Sequence, residues 1–113
     1  MKETIESIIK WHAETFPDAT LDGQIEKFND EHKEWERAKT DTEEIQEAAD
    51  MFIVCCGIAR FSLRIALSYF DIVEMISSGY AHFDNAINEK MAINRKREWV
   101  IGKGNYQHVE LAE

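Results

Sequence analysis

Glu31 and Glu34 stand three residues apart in the stretch DEHKEW, and Glu47 and Asp50 repeat the interval in EEIQEAADMF. On a helix, residues at that spacing share a face, so each couple places two carboxylates side by side. Four such anions repel one another strongly if the two couples converge, and a divalent cation among them removes the penalty. Ligand sets made only of oxygen suit hard cations, Mg²⁺ and also Mn²⁺, whereas zinc and copper recruit His or Cys. The plainer reading is that acids at helical spacing form a solvated face. Against it, Asp50 directly precedes the apolar run MFIVCCGIA and so lies at the edge of a buried segment. The spacing therefore makes Glu31, Glu34, Glu47 and Asp50 candidate metal ligands.

A second group carries the opposite charge. Lys90, Arg95, Lys96, Arg97 and Lys103 form a basic island in an acidic chain. On one helix Lys90, Asn94 and Arg97 share a face, where they could hold the outer oxygens of a polyphosphate; equally, cations near a helix C-terminus complement its dipole. Near the other end of the chain, Trp11, His12 and Phe16 could form a wall for a planar ring, or could simply be core. His32 falls inside the first acid motif but points away from the face of Glu31 and Glu34 by helical geometry, and reads as a surface residue.

The elements that must position these groups are helical. Proline occurs only at Pro17, glycine only at residues 23, 57, 79, 102 and 104, and strand-like alternation is scarce. Ile5, Ile8, Ile9, His12 and Phe16 recur at intervals of three and four, which predicts a first helix over residues 3–15. FPDAT breaks it. A second helix is expected from about Leu21 to Ala38, marked by Ile25, Phe28 and Trp35. In KTDTEE, Asp41 followed by Glu44 has the form of a capping box, and a third helix starts near Thr42 and runs to Phe61. No Gly or Pro punctuates residues 58–78, so the pattern leaves open whether this helix continues through SLRIALSYF; SSG at residues 77–79 is the next stop. A last helix is expected over about His82 to Trp99. The short turn between the second and third helices makes them antiparallel neighbours, which can bring both acid couples to one level.

With 113 residues the chain is one domain, here read as residues 1–99, followed by a polar tail over residues 100–113. The composition, 44% hydrophobic and 11% aromatic, is that of a folded protein. A net charge of −9 argues against nucleic-acid polymers and anionic membranes as partners, because both would be repelled. The N-terminus lacks the pattern of a secretory signal, and no apolar run approaches the roughly 20 residues of a bilayer span, so a cytoplasmic location is expected. Adjacent Cys55 and Cys56 have neither metal-ligand spacing nor useful disulfide geometry and read as small buried hydrophobes. A phosphate-binding loop is absent, since GKGN lacks both the length and the following helix.

Taken together, DEHKE, the twelve-residue gap after Glu34, and EAAD resemble the EExxE…ExxD signature of the all-α nucleoside triphosphate pyrophosphohydrolases, the MazG-like group. EKMAINRKREW at residues 89–99 is similar to the Lys-Met-x-x-Asn-Arg-x-Arg segment of its dCTP pyrophosphatase and phage branch, and WHAETF at residues 11–16 to that branch's first-helix His-Ala-Glu segment. The three motifs follow in the family's order over most of the chain. Two features depart from it: Asp30 stands where the family usually has Glu, and residues 62–84 make a longer connection. The resemblance implies an all-α, four-helix-type bundle that hydrolyses a nucleoside triphosphate between its α and β phosphates. It further implies Glu31, Glu34, Glu47 and Asp50 as the catalytic metal ligands for Mg²⁺ or Mn²⁺. Lys90 and Asn94 would face the substrate, one of the arginines, with Arg97 the candidate, would hold phosphate, and His12 and Trp11 would lie beside the base. A homodimer or homotetramer is the expected assembly. Two other classes remain. A carboxylate-bridged di-iron bundle needs Glu-x-x-His, which none of the four histidines provides. A noncatalytic helical adaptor would make no use of the acids.

Overall fold

The computed structural model describes residues 2–97, 99–102 and 105–108. Five helices carry the fold: α1 (Ile5–Thr15), α2 (Leu21–Arg37), α3 (Asp41–Phe61), α4 (Leu63–Ser77) and α5 (Phe83–Asn94). Hydroxyl side chains start the first four. Thr4, Thr20, Thr40 and Ser62 each sit in extended backbone and accept a hydrogen bond from the amide three residues on, satisfying one of the free donors that a helix start leaves. At α3 the cap lies one residue earlier than the expected Asp41–Glu44 pair. Thr40 accepts from the Glu43 amide, and the Glu43 carboxylate reaches back to the Lys39 amide at 3.0 Å.

α3 is the axis of the molecule, and α1, α2, α4 and α5 all pack against it. Its middle is buried on every side, from Ala48 and Ala49 through Met51 to Ile58, as expected of a helix that is apolar all round. Two cores flank it. One joins Ile8, Trp11 and Phe16 to Ile53, Cys56 and Met91; the other joins Phe28 to Met51, Val54, Cys55, Ile58, Ala66 and Val73. Cys55 and Cys56 are both free and buried, and burial pushes both thiols up, so neither is a ready nucleophile. Among the described residues no helix is long and apolar enough to cross a membrane.

Ser62 settles the point the sequence leaves open. Its amide bonds to the Ile58 carbonyl at 3.0 Å and closes α3, while its hydroxyl accepts from the Ile65 amide at 3.2 Å and opens α4. One residue thus ends one helix and begins the next, without glycine or proline. At the far end of α4 a left-handed His82, φ 60°, turns the chain into α5. Trp35 Nε1 donates to the Tyr80 hydroxyl at 2.9 Å, which donates to Glu44 at 3.3 Å, so this loop is tied to α2 and α3.

The C-terminal expectations need correction. α5 ends at Asn94, not near Trp99. The amides of Arg95, Lys96 and Arg97 bond back to Met91, Ile93 and Asn94, tightening the end of the helix. Trp99 then folds inward, its indole nitrogen donating to the Asn94 carbonyl at 3.2 Å. From there β1 (Trp99–Gly102) pairs antiparallel with β2 (Asn105–His108), so the expected boundary between residues 99 and 100 falls inside a strand. Val100, Ile101 and Tyr106 are residues that favour extended backbone. Residues 103–104 and 109–113 of the expected tail, Lys103 included, lie outside the described residues.

Candidate active site

The four elements α1, α2, α3 and α5 enclose a cavity of about 370 Å³, and every residue singled out above as a site candidate lines it. From α2 come Glu31 and Glu34, from α3 Glu47 and Asp50, from α5 Lys90 and Asn94, with Arg97 just beyond. Trp11 and His12 come from α1. The cavity falls within the size range of small-molecule sites.

At the acidic end, Glu31, Glu47 and Asp50 each offer an oxygen within 4.8 Å of the others. Burial comes first among the causes that hold all three carboxyls up, and for Glu31 and Glu47 the charge of Asp50 is next. Glu31 is pushed up to about 8, by burial first and then by the charge of Asp50. Such crowding is the signature of a site short of positive charge. Two lysines supply part of it: Lys90 lies 3.4 Å from Asp50, and Lys27 lies 3.9 Å from Glu31. Three carboxylates from two helices, with no His or Cys among them, would suit a hard divalent cation.

Glu34 is not brought into this cluster. It lines the rim of the cavity with a side chain 57% exposed, and pairs with Arg37 at 3.7 Å. Three residues along α2 from Glu31, it has open water beside it and nothing to turn it inward. Asp30 is exposed and does not line the cavity. His32, expected at the surface, is half-buried, stacked at 5.9 Å on Trp35.

The basic residues divide by their partners. Arg95 is occupied by Glu3, which it holds through two hydrogen bonds of 3.0 and 2.8 Å. Arg97 faces the cavity and donates to Asn94 Oδ1 at 3.3 Å. Arg95→Gln is therefore expected to lower the melting temperature while leaving KM for an anionic ligand unchanged, and Arg97→Gln to do the reverse. Thermal melts and steady-state kinetics on the two variants check this.

Aromatic rings close the opposite end. Trp11 meets Phe16 edge-on at 5.2 Å, and Trp99 meets Phe16 at 5.0 Å and Trp11 at 6.2 Å. Trp11 belongs both to the core behind and to the cavity in front. Beside it His12 is buried, and burial, with a smaller contribution from the Arg60 charge, brings its pKa down to about 4, so the ring is neutral. Gly57 makes room here. A Cβ at this position would lie 2.6 Å from Gln24 Oε1 and 2.8 Å from His12 Nε2. Gly57→Ala is expected to cost about 1–3 kcal/mol by forcing both buried side chains aside, measured by denaturant unfolding.

Phe16, expected beside Trp11 and His12, lines the cavity, and Lys27, Gln24 and Trp99 complete the functional lining that sequence reasoning did not assign. Lys27 could have been found, since it stands four residues before Glu31 on the same helical face. Gln24 and Trp99 carry no such signal. Comparisons of the chain with protein-family models, with curated protein sequences and with solved structures gave no match.

Proposed function

We propose that the chain is a metal-dependent nucleoside triphosphate pyrophosphohydrolase of the MazG-like, all-α kind, a helical bundle working as a homodimer or homotetramer. One observation carries the reading: carboxylates from α2 and α3 converge in one cavity with Lys90 of α5, Arg97 just beyond it, and the rings of Trp11, Phe16 and Trp99. A triphosphate ester of a nucleoside is the ligand class that needs all three. Its polyanionic end requires cations, and its planar base suits aromatic edges and faces.

Glu31, Glu47 and Asp50 hold the metal, with Glu34 positioned at the rim. When bound, Mg²⁺ or Mn²⁺ neutralises phosphate charge and lowers the pKa of a water. Lys90 and Arg97 bind the outer phosphates, and Asn94 donates from the same side. Water adds across the α–β anhydride, the P–O bond to the bridging oxygen breaks, the water's proton passes to bulk solvent, and nucleoside monophosphate and pyrophosphate leave. Trp11, Phe16 and Trp99 exclude solvent from the opposite end. Exposed Leu63, Leu67 and Met75 on the outer side of α4 support an assembly of more than one copy.

The test is a panel of canonical and modified nucleoside triphosphates incubated with Mg²⁺, the products being separated and identified. Monophosphate and pyrophosphate in equal amounts are expected. Release of orthophosphate alone, or no turnover of any member, overturns the assignment.

A further inference from the structure

Neutral His12 has one N–H and one lone pair, and its surroundings decide which nitrogen carries which. Arg60 Nη1 lies 3.2 Å from His12 Nδ1. A guanidinium can only donate, so Nδ1 accepts and the ring proton is on Nε2. Nε2 and Gln24 Oε1 converge over Gly57, and the His12 ring is hydrogen-bonded to the Gln24 side chain. Because Nε2 donates, Gln24 turns its oxygen to the ring, and its NH₂ is the other end of the amide. His12 and Gln24 are each only 3% exposed and line the cavity beside Trp11 and Phe16. Nδ1 is committed to Arg60 and Oε1 is engaged by His12, so the hydrogens the pair has left to offer a ligand are those of the Gln24 NH₂.

Arg60 itself does not line the cavity. It is held by the Phe16 carbonyl at 2.7 Å, which also accepts from the Ala19 amide, and by the Pro17 carbonyl at 3.4 Å, both just past the end of α1. To withdraw from His12 it would have to give up both carbonyls. The direction of every hydrogen bond along Arg60, His12 and Gln24 is thus fixed from outside the site.

We propose that Arg60 acts as a positioning residue that sets the polarity of the aromatic end, so that Gln24 selects a ligand group accepting a hydrogen bond. The proposal rests on the nucleotide reading above. It assigns the preferred substrates to bases with a carbonyl at the edge being read, as in uracil and hypoxanthine, over those with an amino group there, as in cytosine and adenine. An amino group would face the Gln24 NH₂, donor against donor, and one mismatched polar contact in a buried site is worth about tenfold or more in affinity.

The experiment measures dissociation constants of α,β-imido deoxynucleoside triphosphates carrying these four bases, with Mg²⁺, by quenching of tryptophan fluorescence. Uracil is expected to bind at least about tenfold tighter than cytosine, and hypoxanthine than adenine. Arg60→Met should bring each ratio close to one, and Arg60→Lys should restore it. Gln24→Glu, which replaces the donor with an acceptor and leaves Arg60 in place, should reverse both ratios. Equal binding within each pair by the unaltered protein, a preference for the amino bases, or ratios unmoved in Arg60→Met would each overturn the proposal. If no triphosphate binds at all, the nucleotide reading falls and this one with it; tight but indiscriminate binding sinks only the selection by Gln24.

Discussion

Glu47→Gln is expected to lower kcat/KM with Mg²⁺ by about 10³-fold, roughly 4 kcal/mol of transition-state stabilisation, and to raise the melting temperature of the metal-free protein. The two effects have opposite signs because the same charge is useful in one state and costly in the other. Glu47 sits among Glu31 and Asp50, and both burial and Asp50 hold its carboxyl above the usual range. An amide keeps its shape and its hydrogen bond with Glu31 while removing one negative charge, so the repulsion falls. It also removes an anionic ligand from a set of only three, and an amide oxygen is a much poorer ligand for a hard cation. A noncatalytic helical adaptor would show the gain in stability without any loss of function. Pyrophosphate release measured beside calorimetry in EDTA separates the two readings: full activity in Glu47→Gln would remove Glu47 from the metal site.

The acids were legible because helical arithmetic is local. An interval of three on each helix, joined by a connection only three residues long, is enough to place Glu31 opposite Glu47 and Asp50. The same arithmetic could not separate Glu34 from Glu31, since spacing says nothing about whether water or protein lies beside a side chain. Caps were legible to within a residue: Thr40 with Glu43 and Asp41 with Glu44 both satisfy the pattern, and only backbone geometry chooses between them. Ser62 was not legible at all as a break, because a serine in an apolar stretch is compatible with a continuous helix; the break requires its hydroxyl to be the cap of α4. The end of α5 is a tertiary decision. The run Arg95 to Trp99 reads as helix, and it stops because Trp99 finds Trp11 and Phe16, residues more than eighty positions away. Arg60, for the same reason, carries no signal in the sequence, and its contact with His12 exists only once α1 lies across it.

Stability without metal should fall as pH rises, and added divalent cation should reverse the trend. Glu31 has its carboxyl raised from 4.5 to about 8 in the folded state. Between those values the folded chain keeps a proton that the unfolded chain gives up, so the unfolded state is favoured progressively. The stability is full below 4.5 and has been lost by about pH 8, and Glu47 and Asp50, both raised, add in the same direction. Cation binding reads the same groups with the opposite sign. The ligands must be ionised, so binding releases protons and tightens as pH rises toward about 8. In EDTA the melting temperature is therefore expected to be lower at pH 8 than at about pH 5, while with saturating Mg²⁺ or Mn²⁺ the gap between bound and free protein widens over the same interval. Titration calorimetry in two buffers of different ionisation enthalpy should show the released proton directly. Glu31→Gln should flatten both slopes, because it removes one of the raised carboxyls and relieves its neighbours. A metal-free melting temperature that climbs with pH, or one that Mg²⁺ does not move, would mean that these three carboxylates are neither crowded nor a cation site.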